Sequence, residues 1–176
     1  MKDDWERGAL QVYTGNGKGK STAAFGLALR ASGRGMGVYI GQFMKGQNYG
    51  ELHSVNWLEG VDLEQYGDPG WCYKGKITES QRAQAQAGLE KGLAALEGGR
   101  YDIVILDELN MALWFELVNE SQVLDLIRRR PRMTELVLTG RNAAPAVIEL
   151  ADLVTEMKEI KHPYAAGIQA RKGIEH

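Results

Sequence analysis

Thr14-Gly15-Asn16-Gly17-Lys18-Gly19-Lys20-Ser21-Thr22 is the stretch on which the reading of this chain turns. Before it, Ala9–Tyr13 is a short apolar run that predicts a strand. After it, from Ser21, the sequence STAAFGLALRA is rich in Ala and Leu and predicts a helix stopped at Ser32-Gly33. A glycine-rich turn between a strand and a helix is the context a phosphate-binding loop requires. The glycines let the backbone turn, so that the N–H groups from Gly15 to Thr22 converge on phosphate oxygens. The helix adds its positive end to the same anion. Lys20 neutralises phosphate charge, Ser21 offers a hydroxyl to Mg²⁺, and Lys18 is a second cation inside the loop. The pattern G-x-x-x-x-G-K-[ST] places its first glycine where this chain has Thr14, and Gly15 follows one residue later. The turn is therefore one residue shorter, and the phosphates need not lie as they do in kinases.

Outward from the loop, strands and helices alternate. Val38–Phe43 and Asp62–Tyr66 predict strands, and Thr78 to Leu96 predicts a helix. That helix opens on a Thr78/Gln81 capping box and repeats Ala85, Leu89, Leu93 and Leu96 at helical spacing. Ile103–Leu106 is an uninterrupted apolar run, as in a strand covered on both faces. Ser121–Arg130 predicts a helix, Glu135–Leu138 a strand, Pro145–Ala151 a helix and Leu153–Thr155 a last strand. The alternation predicts an α/β fold, a mostly parallel sheet flanked by helices, with ligands at the carboxyl ends of the strands.

The second chemical signal is Asp107-Glu108, two carboxylates at the end of that buried strand. A hard cation that bridges phosphates takes oxygen ligands at such a place. Glu108 is the expected Mg²⁺ ligand, directly or through water, with Asp107 organising the ion's surroundings or Lys20. Bulk properties bound the rest. The 176 residues, 44% hydrophobic and 25% charged, fit one soluble domain spanning 1–176. A net charge of −2 provides no global field for nucleic acid or an anionic membrane, and no apolar run is long enough to span a bilayer. Arg128-Arg129-Arg130 complements the end of its own helix. The single cysteine, Cys72, rules out an internal disulfide and suits a cytoplasmic protein.

Four segments together resemble the phosphate-loop branch of the ATP:corrinoid adenosyltransferases. They are TGNGKGKSTAAFGLALRA (14–31), GQFMKG (41–46), ILDELNMAL (105–113) and LTGRNAAPAVIELADLVTEMKEIKHPYAAGIQARKGIE (138–175). The resemblance runs from about Gly8 to Glu175. It implies a P-loop NTPase fold of the recombinase-like kind, a homodimer, ATP as co-substrate with Mg²⁺ or Mn²⁺, and a reduced corrinoid as acceptor. A flavoprotein is the reductant it suggests. The short loop would hold the triphosphate reversed, exposing the ribose 5′-carbon to attack by Co(I) as triphosphate leaves. Carried over by position, Gly15–Ser21 bind phosphates, Ser21 and Glu108 hold the metal, and Arg30 and Arg141 contact nucleotide or corrinoid. No general base is needed, since Co(I) carries no proton.

The chain departs from that family in two places. Members often carry a long N-terminal helix that folds over the corrinoid, whereas only a short polar stretch precedes the first expected strand. Members also commonly show Gly-Phe-Thr-Trp after the third strand, where this chain has Gly70-Trp71-Cys72-Tyr73. Trp71 and Tyr73 are the expected corrinoid-facing aromatics. His162 reads as a structural histidine, His53 as a surface residue, and Trp57 and Trp114 as packing residues. Lys45 is divided between substrate contact and solvation. Two other functions explain the loop and the acids: a kinase or ATPase cleaving at the γ-phosphate, and a non-enzymatic nucleotide or corrinoid carrier. Released triphosphate separates the first reading from both.

Overall fold

The computed structural model describes residues 6–70 and 72–175. Six parallel strands form one sheet in the order β3-β2-β4-β5-β1-β6. The strands are β1 (Leu10–Thr14), β2 (Val38–Phe43), β3 (Val61–Tyr66), β4 (Ile103–Asp107), β5 (Glu135–Thr139) and β6 (Leu153–Glu156). The helices are α1 (Lys20–Ser32), α2 (Gly50–Ser54), α3 (Glu79–Glu97), α4 (Leu109–Trp114), α5 (Glu120–Arg128) and α6 (Pro145–Leu150).

Period-2 alternation on the central strands divides the core into two layers. Val38, Ile40, Ile103, Ile105 and Val137 meet Ala24, Ala28 and Ala31 of α1 on one face. The alanine stripe, spaced four and three apart, lets α1 approach the sheet closely. On the other face Leu10, Val12, Val104, Leu106, Leu136 and Leu138 pack with α3, α4, α5 and Val147 of α6. The chain thus leaves β1 toward one face and the neighbouring β5 toward the other. Such a divergence opens a crevice at the carboxyl ends of the two strands.

Local signals account for the long helices. Thr78 and Gln81 form the expected reciprocal cap of α3, and Asn119 with Gln122 forms a second capping box on α5. Arg129 pairs with Glu97 at 2.8 Å, and Arg130 donates to the carbonyls of Gly8 and Thr134. The basic run thus ties α5 to its neighbours. Gly88 lets α3 sit on Tyr66 and Phe43, whose rings lie 2.7 and 3.0 Å from where a Cβ would be. Among the described residues no helix is long and apolar enough to cross a membrane.

Candidate functional site

The phosphate loop begins where β1 ends. Gly19 takes φ +119 and caps α1 with no side chain, which leaves the first amides of the helix uncovered. Gly17 is fixed by close approach: its amide donates to the Met157 carbonyl at 2.7 Å, and a Cβ would lie 2.7 Å from the Lys158 carbonyl oxygen. The loop therefore rests on the chain leaving β6. Lys20 is buried, and its ammonium donates to the carbonyls of Gly15 at 2.8 Å and Gly17 at 2.6 Å. Burial lowers its pKa, Glu108 opposes that shift and Arg141 adds to it. With two of three donors on the loop, the third is left for an anion.

Lys18 points outward. It donates to the Ile174 carbonyl at 3.0 Å and pairs with Glu175 at 3.2 Å. Glu175 is also held by Arg171, and these partners lower its pKa to about 2. Residues 173–175 consequently form a wall of the same cavity as the loop. That cavity, of about 560 Å³, is lined by Asn16–Thr22, Phe25, Lys45, Glu51, Glu108, Arg141 and His162 as well. His162 accepts from the Tyr164 amide at 3.2 Å and so caps a short turn while facing the cavity.

The two acids differ sharply. Asp107 is 0% exposed and accepts from Lys45 at 2.8 Å, Thr139 at 2.7 Å and Gln42 at 3.2 Å, with the Ser21 hydroxyl also contributing. Burial pushes its carboxyl up, but Lys45, Thr139 and Ser21 together hold it below the usual carboxylate range. Its hydrogen-bonded cation is thus Lys45, and Lys20 feels it only as a longer-range charge. Glu108 sits at φ 62, in the left-handed region, which turns it from the strand toward the cavity. Its amide donates to Thr139 Oγ1 at 3.0 Å. No hydrogen bond holds its carboxylate among the described residues. Burial and the charge of Asp107 raise its pKa, against Lys45, Lys20 and Arg141. An under-compensated carboxylate that lines the same cavity as a serine hydroxyl supplies hard-oxygen donors that fit Mg²⁺, an ion that otherwise keeps water and phosphate ligands.

The structure brings together the loop, Asp107, Glu108 and Arg141. It does not bring Arg30 there: Arg30 lies in the last turn of α1, exposed and outside the cavity lining, where its charge reaches Tyr13. Tyr73 is 63% exposed and also outside that lining, while Trp71 lies outside the described residues. Trp57, expected to pack, is 82% exposed. Trp114 packs edge-on against Phe115 with Lys74 3.8 Å over its ring, and His53 is on the surface as expected. Lys45 is neither solvated nor free, being 17% exposed and paired with Asp107. Sequence reasoning missed Gln42, Glu51 and Thr139. Gln42 alone carried a signal, as the one side-chain amide inside the otherwise apolar and aromatic run 38–43.

The profile of the family described as ATP:corrinoid adenosyltransferase BtuR/CobO/CobP matches residues 6–176. A corrinoid adenosyltransferase of Pseudomonas aeruginosa is 41% identical over 172 residues, 97% of this chain and 84% of that one. One from Sinorhizobium is 40% identical over 174 residues, 97% and 81% of the two chains. Corrinoid adenosyltransferase CobA of Salmonella typhimurium is 34% identical over 171 residues, 97% and 87%.

Proposed function

This chain belongs to the ATP:corrinoid adenosyltransferase family, and we propose that it performs the family's transfer in the crevice between β1, β4 and β5. It is an enzyme that adenosylates a corrinoid with ATP. The observation that carries the assignment of the site is the convergence of Lys20, Ser21, Glu108 and Arg141 on one 560 Å³ cavity at the switch between strands.

The triphosphate lies along the loop, its oxygens on the amides of residues 15–22 other than Gly17, whose N–H is held by Met157, and on Lys20, with Lys18 at the outer edge. Ser21 and Glu108 are the residues that would hold Mg²⁺ or Mn²⁺, which supplies further charge compensation on the triphosphate. Electrons and atoms balance simply. The Co(I) lone pair forms the Co–C bond at the ribose 5′-carbon, the C–O bond breaks, and its pair leaves on triphosphate as cobalt becomes Co(III). The residues stabilise charge on that leaving group and fix the line of attack. Trp71 and Tyr73 belong to the corrinoid side of this reading, and Arg30, remote from the loop, to a contact made outside the cavity. A homodimer goes with it, for which Ile148 and Leu150 of α6 and Leu153 and Val154 of the edge strand β6 are exposed apolar residues. So do a cytoplasmic setting and a flavoprotein as the source of electrons.

The test is to incubate the protein with ATP, Mg²⁺ and chemically reduced cobalamin. The adenosylated product together with inorganic triphosphate is expected. ADP with phosphate would indicate γ-phosphate cleavage, and binding without turnover a carrier.

A further inference from the structure

The cation on Asp107 is covalently part of the chain, and the backbone is built to put it there. After β2, Met44 adopts φ 58, a conformation a non-glycine residue rarely takes. Gly46 then packs so tightly on the turn after β3 that a Cβ would lie 2.0 Å from the Gly67 carbonyl oxygen. Between these two constraints Lys45 is folded back over the sheet end. Its ammonium lies 2.8 Å from Asp107, 3.5 Å from Glu51 and 5.4 Å from the centre of the Tyr49 ring. Glu108 is also within its electrostatic reach. Two carboxylates therefore pair with one fixed cation in the wall of the phosphate cavity, with a third in electrostatic reach.

A buried carboxylate requires a counter-ion, and a divalent metal is another species able to serve Asp107. We propose that Lys45 is a positioning residue that acts as the resident counter-ion of Asp107, making metal loading conditional on nucleotide. With Lys45 in place, Asp107 has its lone pairs occupied and is unavailable as a ligand. A metal ion entering alone finds Glu108 and Ser21 only, beside a fixed positive charge. A metal ion entering with a triphosphate brings further oxygen ligands and negative charge, and the balance reverses. The inference rests on the assignment of Glu108 and Ser21 to the metal made above.

Mn²⁺ binding to the full-length protein, read by the EPR signal of the free ion, tests it without turnover. Wild type without nucleotide should bind Mn²⁺ at least about 100-fold more weakly than with a non-hydrolysable ATP analogue, once the Mn²⁺ held by the analogue alone in a protein-free control is subtracted. Lys45→Gln keeps a donor for Asp107 but removes the charge, and should bind Mn²⁺ without nucleotide about tenfold more tightly or better. Lys45→Arg should behave as wild type. ATP affinity in EDTA should stay within about threefold of wild type in both variants. An unchanged or weakened Mn²⁺ affinity in Lys45→Gln overturns the proposal. So does a loss of ATP affinity in EDTA of about tenfold or more, which would make Lys45 a phosphate ligand. Equal Mn²⁺ affinity of wild type with and without nucleotide overturns it even if the Gln variant fails to fold. Product formation by wild type, assayed separately, reports on the adenosyl-transfer reading itself.

Discussion

Lys20 and Glu108 carry the chemistry proposed here, and each has its own measurable signature. Lys20→Ala removes the buried cation from the loop, and turnover should fall on the order of 10²-fold or more. A variant within about threefold of wild type would remove Lys20 from the leaving-group site. Glu108 makes a subtler prediction, about stability. Its folded-state pKa lies above its unfolded value, so the ionised form costs stability, and the cost appears as pH rises through the raised pKa. In metal-free, nucleotide-free protein, Glu108→Gln should melt higher than wild type at pH 8, with the gap closing as pH falls toward 5. Asp107 has the opposite sign. The stability it contributes is present above the ordinary carboxylate range and lost as pH falls through its depressed pKa. Lys20, Ser21 and the two acids were legible because each sits in a spacing with a physical mechanism behind it. The Lys45–Asp107 pair was not, since 62 residues separate the two and only the order of strands makes them neighbours.

Elements were legible in proportion to their length and their caps. The capping box at Thr78 and the apolar run at 103–106 each announced an element, and both elements form. The short helices α2 and α4 gave no such sign. At five and six residues they are too short to show a period, and each follows a turn from a strand end rather than a polar cap. Yet α2 supplies Glu51 to the cavity, so the cost of missing it falls on the site. Two substitutions test elements directly. Thr78→Ala should cost about 1 kcal/mol, seen as a melting temperature lower by about 2–4 °C. Gly17→Ala should leave the fold intact but lower ATP affinity about tenfold or more, because its methyl displaces the loop from Met157 and Lys158.

At the scale of the molecule, the sheet has a strong side and a weak one. β4 and β5 are covered on both faces, whereas all four residues of β6 are exposed and, among the described residues, its only sheet partner is β1. The active loop leans on the weak side, through the Gly17 amide on Met157 and the Met157 amide on Thr14 at 2.8 Å. Native-state hydrogen exchange should therefore show the Gly17 amide exchanging through a partial opening of lower free energy than the amides of Ile105 and Val137. Nucleotide, by binding the closed loop, should slow that exchange most at the sheet edge. It follows that heat or mild denaturant would silence this protein before unfolding it. The margin that matters for its working life is the free energy of unzipping one outer strand, and mutations along residues 153–158 would set inactivation temperature while leaving the calorimetric melting point almost where it was.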